Sequence, residues 1–152
     1  MTALAILPPP LAAPEPDRIP PHDLDAEAAV LSAHFVAPTT VELEPEHFYS
    51  DANRLIFAAI RACGDGPVDV IAVADHLRRA GTMHRVGGAA YLAMIVDATP
   101  CVANVAAHAA IVRECWRRRV LIRAFQQCVA ELYAGDLSAA DAWRRMREVC
   151  ET

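Results

Sequence analysis

The side chains that could bind a metal ion in this sequence are six histidines and the carboxylates near them. His22-Asp23, taken with His108 and Glu114, supplies the residue types that metal-dependent phosphohydrolases use. The set lacks further spaced histidines and an aspartate, and no two histidines have the spacing of a helical metal site. A small helical metalloenzyme is therefore an alternative that a bound metal ion would reveal, while the main expectation is no cofactor.

The basic residues also limit the chemistry. All 14 are arginine, so the sequence contains no lysine. A Walker A loop and a Schiff-base enzyme both need a lysine, and both are excluded for this stretch of chain. Gly87-Gly88 could begin a phosphate-binding loop, but neither a preceding strand nor a third spaced glycine accompanies it. A tight turn between helices is the favoured interpretation.

The cysteines and the hydropathy indicate a cytoplasmic protein. Five cysteines without a C-x-x-C pair favour buried free thiols over zinc sites or disulfides. The N-terminal segment has no basic region, and three consecutive prolines interrupt it, so it is not a signal peptide. No run of eighteen uncharged apolar residues occurs, which predicts no membrane span.

Charge is unevenly distributed along the chain. Residues 1–100 hold 6 arginines and 13 acidic residues, whereas residues 101–152 hold 8 arginines and 6 acidic residues. The arginine-rich run at 113–123 is the candidate for phosphate binding, but its arginines are spread around most of a helical wheel. We expect direct nucleic-acid binding to be weak or absent. A DNA-binding regulator stays an alternative that requires these arginines to share one face.

Hydrophobic residues recur at a helical period throughout, which predicts an all-α fold after a disordered, proline-rich tail at 1–17. Asp23, Ser50 and Asp69 are expected to cap the first three helices, and Gly87-Gly88 to open a fourth. The buried line of the first helix is predicted to be Leu24, Ala28, Leu31 and Phe35.

The second half of the chain is predicted to be a helical hairpin. A compact multi-helix head at 18–100 precedes residues 101–152, where helices at 103–134 and 138–150 run antiparallel. Arg118 projects into the apolar stripe of the long helix, where it should bend aside or pair with Asp141 or Glu131, within the chain or across a subunit interface. The stripe itself, expected to face the last helix, is Ile111, Cys115, Ile122, Phe125, Val129 and Leu132.

A separate flank of the long helix is more hydrophobic than a solvated face requires, which predicts self-association into dimers or higher oligomers. The predicted surface for self-association or partner binding comprises Val112, Trp116, Arg117, Arg118, Arg119, Val120, Arg123 and Trp143.

A series of short motifs resembles the N-terminal domain of DnaB-type replicative DNA helicases, in order and with the right spacing over residues 18–125. Ser32 stands where that family usually has glycine. The motifs are Pro20-Pro21-His22, Ala26-Glu27, Val30-Leu31, Phe48-Tyr49, Ile56-Phe57, Pro67 with Asp69, Gly87-Gly88 with Tyr91-Leu92, Thr99-Pro100, Asn104, and Ile111 to Glu114 leading to Arg119.

The resemblance implies a non-catalytic domain that forms the collar of a hexameric helicase ring and offers a docking surface to primase. In that family a RecA-like ATPase domain follows the hairpin, and these 152 residues end before one could begin. The expected function is therefore oligomerisation and partner docking in DNA replication. The expected partners are a second copy, the replicative helicase and primase.

Overall fold

The computed structural model describes residues 18–64, 68–98 and 102–150. Within those ranges every regular element is helical, which confirms the all-α prediction of a multi-helix head followed by a long hairpin. Single 3-10 turns lie at Pro45–His47 and Val102–Asn104. The helices are α1 (Leu24–Val36), α2 (Asp51–Ala62), α3 (Val70–Arg79), α4 (Gly88–Asp97), α5 (Val105–Ala134) and α6 (Ala139–Cys150).

Side-chain caps begin the first three helices at the predicted residues. The carboxylate of Asp23 accepts a hydrogen bond from the amide of Ala26 at 2.8 Å. The hydroxyl of Ser50 and the carboxylate of Asp69 cap α2 and α3 in the same way. Each cap satisfies an amide that the first helical turn leaves without a partner. Gly87, at φ 87°, starts α4, because this left-handed conformation favours glycine.

The core of the head surrounds α1, which packs against α2, α4 and α5. The predicted buried line is wrong in part: Leu31 is fully buried, but Leu24 is 47% exposed, and Ala28 and Phe35 are half-buried. Val30 and Ala33 are completely buried instead. Neighbours on three sides widen the buried surface of α1 beyond the single stripe of a helix packed on one side.

The two halves of α5 use different faces for packing. Its first half contributes Ala109 and Val112 to the core of the head, and its second half packs on α6 near Cys128 and Ala142. Gly135, at φ 79°, ends α5 and turns the chain toward α6. The predicted tail at 1–17, the motif residues Pro67 and Thr99-Pro100, and Cys101 lie outside the described residues. The division into domains at residue 100 stays a prediction.

Candidate docking surfaces on the helical hairpin

The apolar stripe of α5 is exposed along the hairpin. The prediction that this stripe faces α6 is wrong, because α6 packs on the neighbouring face that carries Cys128. Phe125, near the middle of the hairpin, is 46% exposed. The stripe residues that are large and exposed are Ile111, Ile122, Phe125, Val129 and Leu132. A row of this kind on one helix face is typical of an interaction surface.

The flank of α5 that was predicted to bind partners faces the head along the first half of the helix. Val112 is 1% exposed and belongs to the head core, so its place on a partner surface is wrong. Trp116 is half-buried, and its indole lies 4.4 Å from the ring of His47, centroid to centroid. The α1 helix packs on this side of α5, and a helical wheel alone cannot tell which of two apolar flanks receives a neighbour.

Arg119 is an internal residue and not a surface one, which corrects its predicted place. It is 5% exposed and donates hydrogen bonds to the carbonyl oxygens of Pro21 (2.8 Å) and His47 (2.7 Å). Its guanidinium carbon lies 5.7 Å from the centroid of the Tyr49 ring. Burial lowers the pKa of Arg119. The side chain therefore joins α5 to the N-terminal segment and to the 3-10 turn before α2.

Arg118 is paired within its own helix. Its Nε donates to Glu114 at 2.9 Å, one turn earlier, and both side chains are more than half exposed. The predicted pairing with Asp141 or Glu131 is wrong within the chain, because Arg144 and Arg145 of α6 pair with those carboxylates. The Glu114–Arg118 pair consequently lies exposed within the apolar stripe.

The remaining predicted surface residues do not form one patch. Arg117, Val120 and Arg123 are exposed on α5, at least about 60° around the helix from the nearest stripe residue. Trp143 is 76% exposed on α6. Two apolar or aromatic surfaces on the hairpin are therefore candidates for binding: the stripe of α5 and the outer side of α6, which carries Trp143.

A buried carboxylate, Glu27, lies beneath the place where Arg119 joins α5 to the head, and sequence reasoning missed it. Glu27 is 1% exposed and accepts hydrogen bonds from the amides of Tyr49 (2.6 Å) and Ser50 (3.3 Å) and from the side chain of Asn53 (2.9 Å). Tyr91 of α4 donates to the same Asn53 side chain at 2.8 Å. As an acidic residue in the first turn of α1, Glu27 would by itself be expected only to interact with the positive end of the helix. Its position in the Ala26-Glu27 motif was the available signal.

Three of the histidines, at 22, 34 and 47, take part in the packing of the head. His22 stacks on Tyr49 with ring centroids 4.4 Å apart, and the buried ring of His34 bonds the carbonyl of Val30 at 2.7 Å. Burial lowers the pKa of both His34 and His47. In the part of the chain that the structure describes, no three His, Cys, Asp or Glu side chains are grouped to hold a metal ion. The geometry therefore gives the metalloenzyme alternative no support.

Comparison with known families identifies the fold. The family model described as the DnaB-like helicase N-terminal domain matches residues 19–114. The chain belongs to this family. The match confirms the resemblance seen in the motifs. The matched region is the N-terminal domain of these helicases, which lacks their ATPase domain.

Curated relatives match the same region. The replicative DNA helicase DnaB of Treponema pallidum is 35% identical over 128 residues, which cover 80% of this chain and 29% of the relative. The replicative DNA helicase DnaB of Geobacillus stearothermophilus is 35% identical over 146 residues, or 89% of this chain and 32% of the relative. The DnaB domain described here thus spans less than a third of the length of these relatives.

Solved structures agree with the assignment. The crystal structure of the N-terminal domain of DnaB helicase from Mycobacterium tuberculosis matches with a TM-score of 0.77 at 31% identity, covering 88% of this chain and 100% of that one. A DnaB-like replicative helicase, described together with its interactions with primase, matches with a TM-score of 0.68 over 84% of this chain and 31% of that one. At 22% identity the second likeness shows the fold alone.

Among the described residues of this DnaB domain, no helix combines the length and the apolar character needed to cross a membrane.

Proposed function

We propose that this DnaB domain is a non-catalytic assembly module of DNA replication. It self-associates through the apolar stripe of α5 and docks a replicative helicase or primase through the outer side of α6. The observation that carries the proposal is the stripe itself: five large apolar side chains are exposed along one face of a helix that also packs on the head and on α6. Covering the stripe with a second copy removes that area from water, which is favourable.

The electrostatics of α5 agree with association between like copies. The stripe carries one acidic and one basic residue, Glu114 and Arg118, so two stripes can meet without a net excess of either charge. A DNA-binding role is less well supported, because Arg113 pairs with Glu42, Arg118 pairs with Glu114, and Arg119 is buried. These three arginines do not form the concentrated basic face that phosphate binding needs.

Self-association is tested with Phe125→Glu, which places a charge in the middle of the stripe. Wild type should form concentration-dependent dimers or higher oligomers in sedimentation equilibrium, and the variant should be monomeric with unchanged helicity. Ile71→Glu is the matched control, because Ile71 is a large exposed residue on α3 of the head. A wild-type chain that stays monomeric at high concentration contradicts this part of the proposal.

Partner docking is assigned to Trp143 with Arg144 and Arg147, which lie within about 100° of one another on α6. Exposed tryptophan and arginine are the residues that most often dominate binding energies at interfaces. The family match and the helicase described with primase make these two proteins the partners to test first.

The docking test measures binding of the purified chain to its cognate helicase and primase by light scattering after size exclusion. Trp143→Ala should weaken binding by tenfold or more, at least about 1.4 kcal/mol, and leave self-association intact. Met94→Ala, at an exposed position on α4, is the control. Equal binding by both variants would remove α6 from the proposed docking surface.

A further inference from the structure

An apolar groove lies between α3 and α4, on the side of the head that these two helices form. Its volume is about 270 Å³. Ala74 of α3 and Leu92 of α4 are buried where the helices meet, and Ile71 beside them is 70% exposed. Ala89 and Ala93 of α4 are exposed and small, so another stretch of backbone can approach closely. Since an apolar cavity of about 150 Å³ holds a benzene ring, the groove has room for about two large aliphatic side chains.

The charges that border the groove favour an uncharged occupant. Arg78 and Asp97, in the last turns of α3 and α4, both line the groove and are exposed. The remaining lining residues are aliphatic. A segment without charged side chains covers those aliphatic residues and leaves the two charged groups in water, so neither pays the cost of desolvation without a partner.

The first fourteen residues of the sequence have this character, because none of them is charged. Leu4, Ile6 and Leu7 are large and apolar, and three prolines follow at 8–10. A residue before proline is disfavoured in a helix, and consecutive prolines favour the polyproline II conformation. In that conformation residues three apart share a side, which would put Leu4 and Leu7 about 9 Å apart on one face. Residues 1–17 lie outside the described part of the chain.

The connection from the head to this segment is long enough to reach the groove. Ser32 of α1 donates a hydrogen bond to the carbonyl oxygen of Ala98 at 2.6 Å, which places this part of α1 beside the end of α4. Leu24, at the start of α1, is about 12 Å from Ser32 along the helix. The chain from Leu24 back to Arg18 adds at most about 20 Å. From Arg18 to Leu7 the chain covers about 34 Å in polyproline II conformation, which is sufficient.

We propose that residues 4–7 dock in the α3–α4 groove of their own chain, with Leu4 and Leu7 as the side chains that enter it. A tethered segment meets its site at an effective concentration of about a millimolar, so even weak contacts keep it bound. An apolar segment of another protein would have to displace it to reach this face of the head. The docking is intramolecular and does not depend on the proposed self-association.

Photochemical cross-linking of the full chain tests the contact. Ala5 is replaced by p-benzoylphenylalanine, which leaves Leu4 and Leu7 in place, and the cross-linked peptides are identified by mass spectrometry. The cross-links should fall on α3 or α4. An equimolar mixture of this chain with isotopically heavy chains distinguishes links within one molecule, which we expect, from links between two molecules.

The control compares two neighbouring positions on α4. Ala93→Glu places a charge in the groove and should lower the cross-linking yield at least about fivefold. Met94→Glu introduces the same side chain one residue later, at an exposed position that does not line the groove, and should leave the yield within about twofold. Equal yields for the two variants, links to other parts of the head, or links between light and heavy chains would each overturn the proposal.

Hydrogen exchange supplies a second measurement that needs no substitution in the groove. In a chain that lacks residues 1–10, the amides of α3 and α4 should exchange severalfold faster than in the full chain, because the covering segment has been removed. The amides of α5 should exchange at the same rate in both chains. Unchanged exchange in α3 and α4 would show that the segment does not cover the groove.

Discussion

Arg119 joins three segments of the domain that are far apart in the sequence. Its two hydrogen bonds reach the carbonyl of Pro21, ahead of α1, and the carbonyl of His47, ahead of α2. A guanidinium suits this position because its planar group presents several donors in a fixed geometry. The bonds hold the base of the hairpin against the head, which makes Arg119 a positioning residue for the exposed half of α5.

Arg119→Ala should lower the free energy of unfolding by about 2–3 kcal/mol, because it removes two charge-assisted hydrogen bonds from a buried site. Arg119→Lys keeps the charge but loses the forked geometry of the guanidinium. Its free energy of unfolding should fall between those of wild type and Arg119→Ala. Arg123→Ala, one turn later and exposed, should change stability by less than about 0.5 kcal/mol. Urea unfolding followed by circular dichroism measures all three, and equal values for the two alanine variants would refute the role of Arg119.

His47, whose carbonyl accepts a hydrogen bond from Arg119, makes this contact between α5 and the head sensitive to acid. Its Nδ1 accepts a hydrogen bond from the amide of Glu44 at 3.0 Å, which requires that nitrogen to be unprotonated. Burial lowers the pKa of His47. Glu44 and Glu46 act in the opposite direction, and Arg113 and Arg119 act in the same direction as burial. The folded state therefore binds a proton at this ring less readily than the unfolded chain does.

The contribution of His47 to the free energy of unfolding should accordingly be fully present above the ordinary histidine pKa of about 6.5. It should be lost as the pH falls through the lower pKa that His47 has in the folded state. His34, whose pKa burial also lowers, adds to the same trend. His47→Asn retains an acceptor but cannot titrate, so its stability should decline less between pH 7 and pH 5. Urea unfolding at several pH values measures the slope, and identical slopes for the two proteins would rule out this mechanism.

At the scale of the helix, the local features of this domain could be predicted and the packing of its faces could not. Asp23, Ser50 and Asp69 cap helices through hydrogen bonds to residues two or three positions away, so the sequence beside them contains the necessary information. The glycines at 87 and 135 mark helix boundaries through their own backbone conformation. Such interactions do not depend on the rest of the fold.

Which faces of α5 are buried depends on the rest of the fold, and for this reason the sequence predicted the wrong faces to be covered. The wheel located the most apolar stripe correctly, but α6 packs beside it and leaves the stripe exposed. Cys128 with Ala142 allows a close approach between α5 and α6, whereas Ile122 and Phe125 are bulkier and lie outside that contact. Hydrophobicity identifies a face that needs covering, not the element or the molecule that covers it.

At the scale of the whole domain, α5 connects stability to the proposed assembly, because one helix completes the head core with one face and exposes the stripe with another. Neighbouring residues of α5 consequently have different roles. Val112 is 1% exposed within the head core, whereas Ile111 is 41% exposed on the stripe. Adjacent positions on a helix differ by about 100° in direction, which is enough to separate the two faces. The pair therefore gives a direct test of the division between folding and association.

Val112→Ala should destabilise the domain by about 2 kcal/mol, since it opens a cavity in the head core. At temperatures where the variant is folded, the dissociation constant of the proposed dimer should stay within about twofold of the wild-type value. Ile111→Ala should change the free energy of unfolding of the monomer by less than about 0.5 kcal/mol while weakening self-association severalfold. Urea unfolding at low concentration and sedimentation equilibrium at high concentration separate the two quantities. If both substitutions affected both quantities equally, the head core and the stripe would form one cooperative surface, and the assembly face would have to be sought elsewhere on the domain.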